Sequence, residues 1–147
     1  MPEIKRDPIV STILDAAIEV HRRLGPGLLE SAYQSCLVHE LLHRGIRVEE
    51  QVVVPLVYKG VRLDSGYRLD LLIDGDIIVE IKSVETVLPI HEAQVITYLR
   101  LTGARQALLL NVNCVTMKAG IKSYLGDGNK VTRATEQGAD LPVSRGE

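Results

Sequence analysis

The 147-residue sequence contains no phenylalanine, no tryptophan and only two cysteines. Without Phe or Trp, the core must be built from Leu, Ile and Val, helped by five tyrosines; with 46% hydrophobic residues the chain can still bury one. Cys36 and Cys114 lack metal-ligand spacing and are too few for a disulfide framework, so reduced, buried thiols in a cytoplasmic protein are expected. No apolar stretch approaches ~20 residues and the N-terminus is charged, which gives the expectation of neither a signal peptide nor a membrane span. Neither sign of charge dominates: 17 Lys and Arg face 19 Asp and Glu, for a formal net charge of -2 and a pI near 6.1. That balance argues against a protein that coats nucleic acid broadly. It leaves room for a local basic groove, or for a metal ion that supplies the positive charge.

The length fits one domain, and no internal repeat is visible. Residues 1–8 are polar with two prolines and read as an arm. Ile9, Ile13, Ala16, Ala17, Val20 and Leu24 have helical spacing, and Gly25-Pro26-Gly27 ends that helix. A second helix is expected from near Leu28 to about Arg44, closed by Gly45. Glu30 falls in its first turn, where the helix dipole favours an anion whatever else the residue does. Ile46 to Tyr58 reads as a strand with Pro55 at a bulge or edge, Lys59-Gly60 as a turn, and Val61 to Ile73 as a strand bent near Ser65-Gly66. A third helix starts at Pro89 and ends near Thr102-Gly103, with His91, Gln94 and Tyr98 on one stripe and Val95, Leu99 and Thr102 on the neighbouring core stripe. Ala107 to Val112 reads as a strand buried on both sides. Ile121 to Leu125 adds a short last strand, and residues 126–147 read as a polar tail outside the domain at 9–125.

The charges that interrupt the most apolar segment carry the functional signal. Residues 67–82, YRLDLLIDGDIIVEIK, read as two strands joined at Asp74-Gly75. Arg68 and Asp70 share one face of the first strand, and Glu80 and Lys82 share one face of the second. Leu69, Leu71, Ile73, Ile77, Val79 and Ile81 are expected on the opposite face. A two-residue loop would place Asp70 and Glu80 on opposite faces, because a slip of one residue flips every side chain. Burying one charged pair in the apolar layer would cost several kcal/mol or more. An odd connection is therefore expected, either a three-residue loop ending at Gly75 or a bulge near Asp70. Two carboxylates and an ammonium on one face suit a hard cation such as Mg²⁺ and metal-assisted phosphodiester hydrolysis. A cross-strand ion-pair ladder without chemistry uses the same residues.

Taken together, Gly27, Glu30 and Tyr33, then Asp70, then Glu80-Ile81-Lys82, then Gln94 and Tyr98 resemble the GxxExxY proteins, a branch of the PD-(D/E)xK nuclease superfamily. The resemblance spans Gly27 to about Leu125, with Leu69 standing where the family's motif has proline. It implies an α/β fold with a restriction-endonuclease-like core, a central mixed sheet flanked by helices in the order α-α-β-β-β-α-β. It implies a Mg²⁺-dependent nuclease acting on DNA, with Mn²⁺ as a substitute ion. Asp70, Glu80, the Ile81 carbonyl and Glu30, directly or through water, would hold the metal. Lys82 would orient the attacking water, Gln94 and Tyr98 would contact the scissile phosphate or brace Lys82, and Tyr33 would pack beneath Glu30. Arg62, Arg68 and Arg100 become candidates for phosphate-backbone contacts, and His91 is either a further phosphate contact or an ordinary surface histidine. A homodimer would supply a second strand-cutting site. The competing expectation is a catalytically inactive nucleic-acid or protein-binding module that keeps the fold.

Overall fold

The computed structural model describes residues 7–63 and 66–126. Helix α1 runs Pro8–Leu24 and helix α2 Glu30–His43. Strands β1 (Val48–Val53), β2 (Leu56–Tyr58), β3 (Val61–Leu63), β4 (Arg68–Ile73) and β5 (Ile77–Lys82) follow. Helix α3 (Pro89–Thr102), strand β6 (Gln106–Asn111), a 3-10 turn (Met117–Gly120) and strand β7 (Ile121–Leu125) complete the described chain.

Five strands form one mixed sheet in the order β1-β4-β5-β6-β7. Only β5 and β6 are parallel, joined by the crossover through α3 as expected of a strand that returns beside its predecessor. The other described pairs in that sheet are antiparallel. The architecture is the α/β restriction-endonuclease-like fold read from the sequence. The strand count differs from that reading. The segment 46–58 is broken at Val54-Pro55, and 61–73 is broken ahead of Arg68, so that β2 and β3 leave the main sheet and pair as a separate hairpin. Proline cannot donate to a ladder, and the chain turns off the sheet where Pro55 stands. Lys59 and Gly60 form the tight turn of this small hairpin, both with positive φ.

Side-chain alternation on the central strands divides the core in two. Ile77, Val79 and Ile81 on β5, with Leu108 and Leu110 on β6, face a layer made by α1, α2 and the 3-10 turn. Ile78 on β5, with Ala107 and Leu109 on β6, faces α3 and the β2–β3 hairpin. Leu71 and Ile73 join the first layer as expected, but Leu69 packs in the second with Val95, Tyr98 and Leu99. The alternation of β4 is thus interrupted at Asp70. Tyr33 is fully buried between the helices: its hydroxyl donates to the Ala17 carbonyl at 2.8 Å and to Met117 Sδ at 3.3 Å. Arg105, just ahead of β6, bonds Asp76 at 2.9 Å and also pairs with Asp7, the cap of α1. This ties the hairpin loop to the first helix. Cys36 and Cys114 are both free, and each is only partly buried. No helix among the described residues is long and apolar enough to cross a membrane.

Candidate active site

The turn between β4 and β5 sets the site. Ile73 pairs with Ile77, leaving Asp74, Gly75 and Asp76 as a three-residue loop, in which Asp74 and Gly75 have φ of 53° and 69°. The connection is odd, as the charge pattern requires, and runs one residue past Gly75. Backbone pairing then continues only to Leu71 and Val79. Beyond it, the two acidic side chains bridge the strands themselves. The Asp70 N–H donates to Glu80 Oε2 at 2.9 Å, and the Ile81 N–H donates to Asp70 Oδ2 at 2.8 Å. One oxygen of each carboxylate is thereby fixed by backbone, and the two carboxyl groups sit side by side.

Burial makes this pair electrostatically demanding. Glu80 is 4% exposed. Burial, and then the neighbouring Asp70 charge, push its carboxyl up to about 8. Asp70 is raised as well, chiefly by burial; the Ile81 N–H, Gln51 and Lys82 work in the other direction. Lys82 ends β5 on the same face and favours the charged form of both acids. A carboxyl whose folded pKa lies above its unfolded value holds an extra proton in the folded state, so stability falls as pH rises from about 4.5 towards 8. In EDTA, the melting temperature of the wild type is therefore expected to drop by several degrees, on the order of 5 °C, between pH 5 and pH 8.5. Glu80→Gln should flatten that slope and melt higher than the wild type at pH 8.5. Equal slopes in the two proteins would contradict the burial argument.

The remaining expected site residues are distributed around this pair. Glu30, at the start of α2, accepts the Ser83 N–H at 2.8 Å just past β5. It thus arrives over the end of the sheet from the opposite layer, close enough for its charge to raise both Asp70 and Glu80. Among the described residues, no three His, Cys, Asp or Glu side chains converge closely enough to hold a metal ion by themselves. Glu30 is bonded to the Ser83 backbone, while Asp70 and Glu80 form the cross-bonded carboxylate pair. Tyr98 is buried rather than part of a solvated stripe. It meets Tyr67 edge to face, with ring centroids 6.0 Å apart, and its hydroxyl faces the Arg68 backbone N–H. Burial and then the Glu80 charge raise its pKa. Gln94 is half-buried in a groove of about 250 Å³ with Tyr67, His91 and Thr97. His91 is more than a surface histidine, since its Nδ1 accepts the Leu88 N–H at 2.9 Å and caps α3. Arg62 and Arg68 line a second groove of about 320 Å³ with Val53, Pro55 and Leu63, and Arg100 lies in the last turn of α3. A third groove of about 560 Å³ runs past Gly27, Leu28, Leu29, Glu30, Ser31 and Ser83.

Two groups beside the site carry no signal in the sequence. Asn111, at the end of β6, is 4% exposed and clamps Val84 through both backbone groups, at 3.1 and 2.9 Å, holding the connector after Lys82. Gln51, on β1, lies beside Asp70. Neither stands out in composition or periodicity, since each is one amide in an otherwise ordinary strand.

The pair suits a divalent cation on its own chemistry. Two adjoining carboxyls, Glu80 buried and Asp70 half-buried, are both raised in pKa, and oxygen donors are what hard cations take.

Comparison with known proteins gives the frame. No curated protein matches the chain. A solved structure described as "Crystal structure of SSO0001" is similar at 17% identity with a TM-score of 0.35, covering 97% of this chain and 79% of that one. The sequence profile of the PD-(D/E)XK nuclease superfamily matches residues 7–124, which include Asp70, Glu80 and Lys82. The chain belongs to the PD-(D/E)XK nuclease superfamily.

Proposed function

We propose that this protein is a Mg²⁺-dependent nuclease of the GxxExxY branch that hydrolyses phosphodiester bonds in DNA. The observation that carries this reading is the cross-bonded Asp70–Glu80 pair with Lys82 on the same face of β5. Nucleases of the superfamily generally use divalent metal ions. A bound cation would supply Lewis acidity towards the phosphodiester and a more acidic water.

The chain's own residues do the rest. Asp70 and Glu80 would hold the cation with the Ile81 carbonyl, oxygen donors of the kind that Mg²⁺ takes. Lys82 places its ammonium against the attacking water and the developing phosphate charge. Glu30 fixes the backbone at Ser83, directly after Lys82, and so steadies that lysine's end of the strand. Tyr98 braces β4 beside Asp70, and Gln94 meets the substrate from its groove. Arg62 and Arg68 take the phosphate backbone along the groove beside the β2–β3 hairpin.

The test is cleavage of linear, circular and single-stranded DNA with Mg²⁺ or Mn²⁺ and with EDTA. Cutting is expected only with the ion, and Asp70→Asn should remove it. Absence of cutting on every substrate, with no ion bound at millimolar concentration, would overturn the proposal. It would leave a binding module that retains the fold.

A further inference from the structure

Strand β1 pairs with β4 from Val48↔Ile73 to Val53↔Arg68, yet the pairing skips one position, where Gln51 stands opposite Asp70. Gln51 has φ of 51°, the left-handed region that a side-chain-bearing residue rarely adopts within a strand. Such a conformation persists only where surrounding contacts hold it. Here the contacts are identifiable. The Gln51 Nε2 donates to Gln34 Oε1 on α2 at 3.1 Å, and Gln34 Nε2 donates to Glu50 Oε1 at 3.2 Å. Gln34 stands one turn after Glu30 on the same helix face. The Gln51 amide also favours the charged form of Asp70.

We infer that Gln51 is a positioning residue, held in a left-handed turn of β1 by Gln34 so that its amide orients the Asp70 carboxylate for a divalent cation. The inference rests on the nuclease reading and deepens it. Asp70 receives one fixed hydrogen bond, from the Ile81 N–H on one side. An amide presented from the position opposite Asp70 on β1 would restrict the carboxylate's rotation, as outer partners of metal ligands generally do. Through Gln34, the same amide links that carboxylate to the helix that carries Glu30.

The variant that separates this role from a merely structural one is Gln51→Gly. Glycine accepts the left-handed backbone without strain, so the fold keeps its melting temperature or gains a little, while the amide is lost. Calorimetric titration with Mn²⁺ alone is expected to show affinity about tenfold weaker than wild type. In DNA cleavage assays, the half-saturating Mn²⁺ concentration should rise by a similar factor while the KM for DNA holds. Gln34→Ala should weaken Mn²⁺ binding in the same direction by a smaller factor. Wild-type affinity and wild-type metal dependence in Gln51→Gly would overturn the inference and leave the nuclease reading standing. A wild-type protein that binds no Mn²⁺ would overturn both.

Discussion

Lys82→Ala is expected to cut DNA about a hundred- to a thousandfold more slowly than wild type while binding Mn²⁺ at least as well. The two effects have opposite signs because the lysine plays opposite parts in them. Its ammonium lies near Asp70 and Glu80 and partly offsets their charge, so removing it makes the pair a stronger attractor of cations. The rate, in contrast, depends on a positive group placed where negative charge develops. Loss of one such preorganised group typically costs a hundred- to a thousandfold, about 3–4 kcal/mol of barrier. Lys82 is only half-buried and ends its strand, so its truncation leaves the core intact. Single-turnover cleavage and Mn²⁺ titration on the same sample decide the matter. A rate within tenfold of wild type would remove Lys82 from the chemistry, and weakened Mn²⁺ binding would mean that the variant has disturbed the carboxylate pair.

Tyr33→Ala should lower stability by about 3–5 kcal/mol, the usual range for emptying a buried aromatic site. The side chain is fully buried where α1, α2 and the 3-10 turn meet, and few other groups of its size are available in a chain without Phe or Trp. For a chain of this length the melting temperature should fall by on the order of 10 °C. Tyr33→Phe keeps the ring and loses the bond to the Ala17 carbonyl, at a cost of about 1 kcal/mol. It should cut DNA at the wild-type rate, because the hydroxyl points into the helix layer and its pKa is held well above the usual range by burial. A large loss of cleavage in Tyr33→Phe, with normal melting, would mean that this tyrosine reaches the substrate after all.

The site was more legible in the sequence than the sheet around it. Asp70, Glu80 and Lys82 could be placed on one face because a charge inside an apolar strand is expensive, and that cost chooses between an odd and an even turn. The third helix was readable to the residue from Pro89 and Thr102-Gly103, since proline and a left-handed glycine mark its ends. The splitting of the segments 46–58 and 61–73 was harder to read. Both are apolar enough to continue as strands, and the chain leaves the main sheet at Pro55 with Val54 and Val57 packed in the α3 layer. Leu69 was misplaced for a related reason: strict alternation was assumed through Asp70, where the backbone ladder gives way to side-chain bridges. Gln51 left no local trace, because its importance comes from the residue across the strand pair. The tail at 127–147 lies outside the described residues.

The three residues Asp74 to Asp76 carry a constraint on how this chain can vary over time. A single insertion or deletion there would rotate every side chain of β5 by half a turn, driving Glu80 and Lys82 into the α1–α2 layer and bringing Ile81 out beside Asp70. Gain or loss of two residues would keep the facing intact. Changes of length at this hairpin tip should therefore be inherited in even steps, a counting rule imposed by pleat geometry.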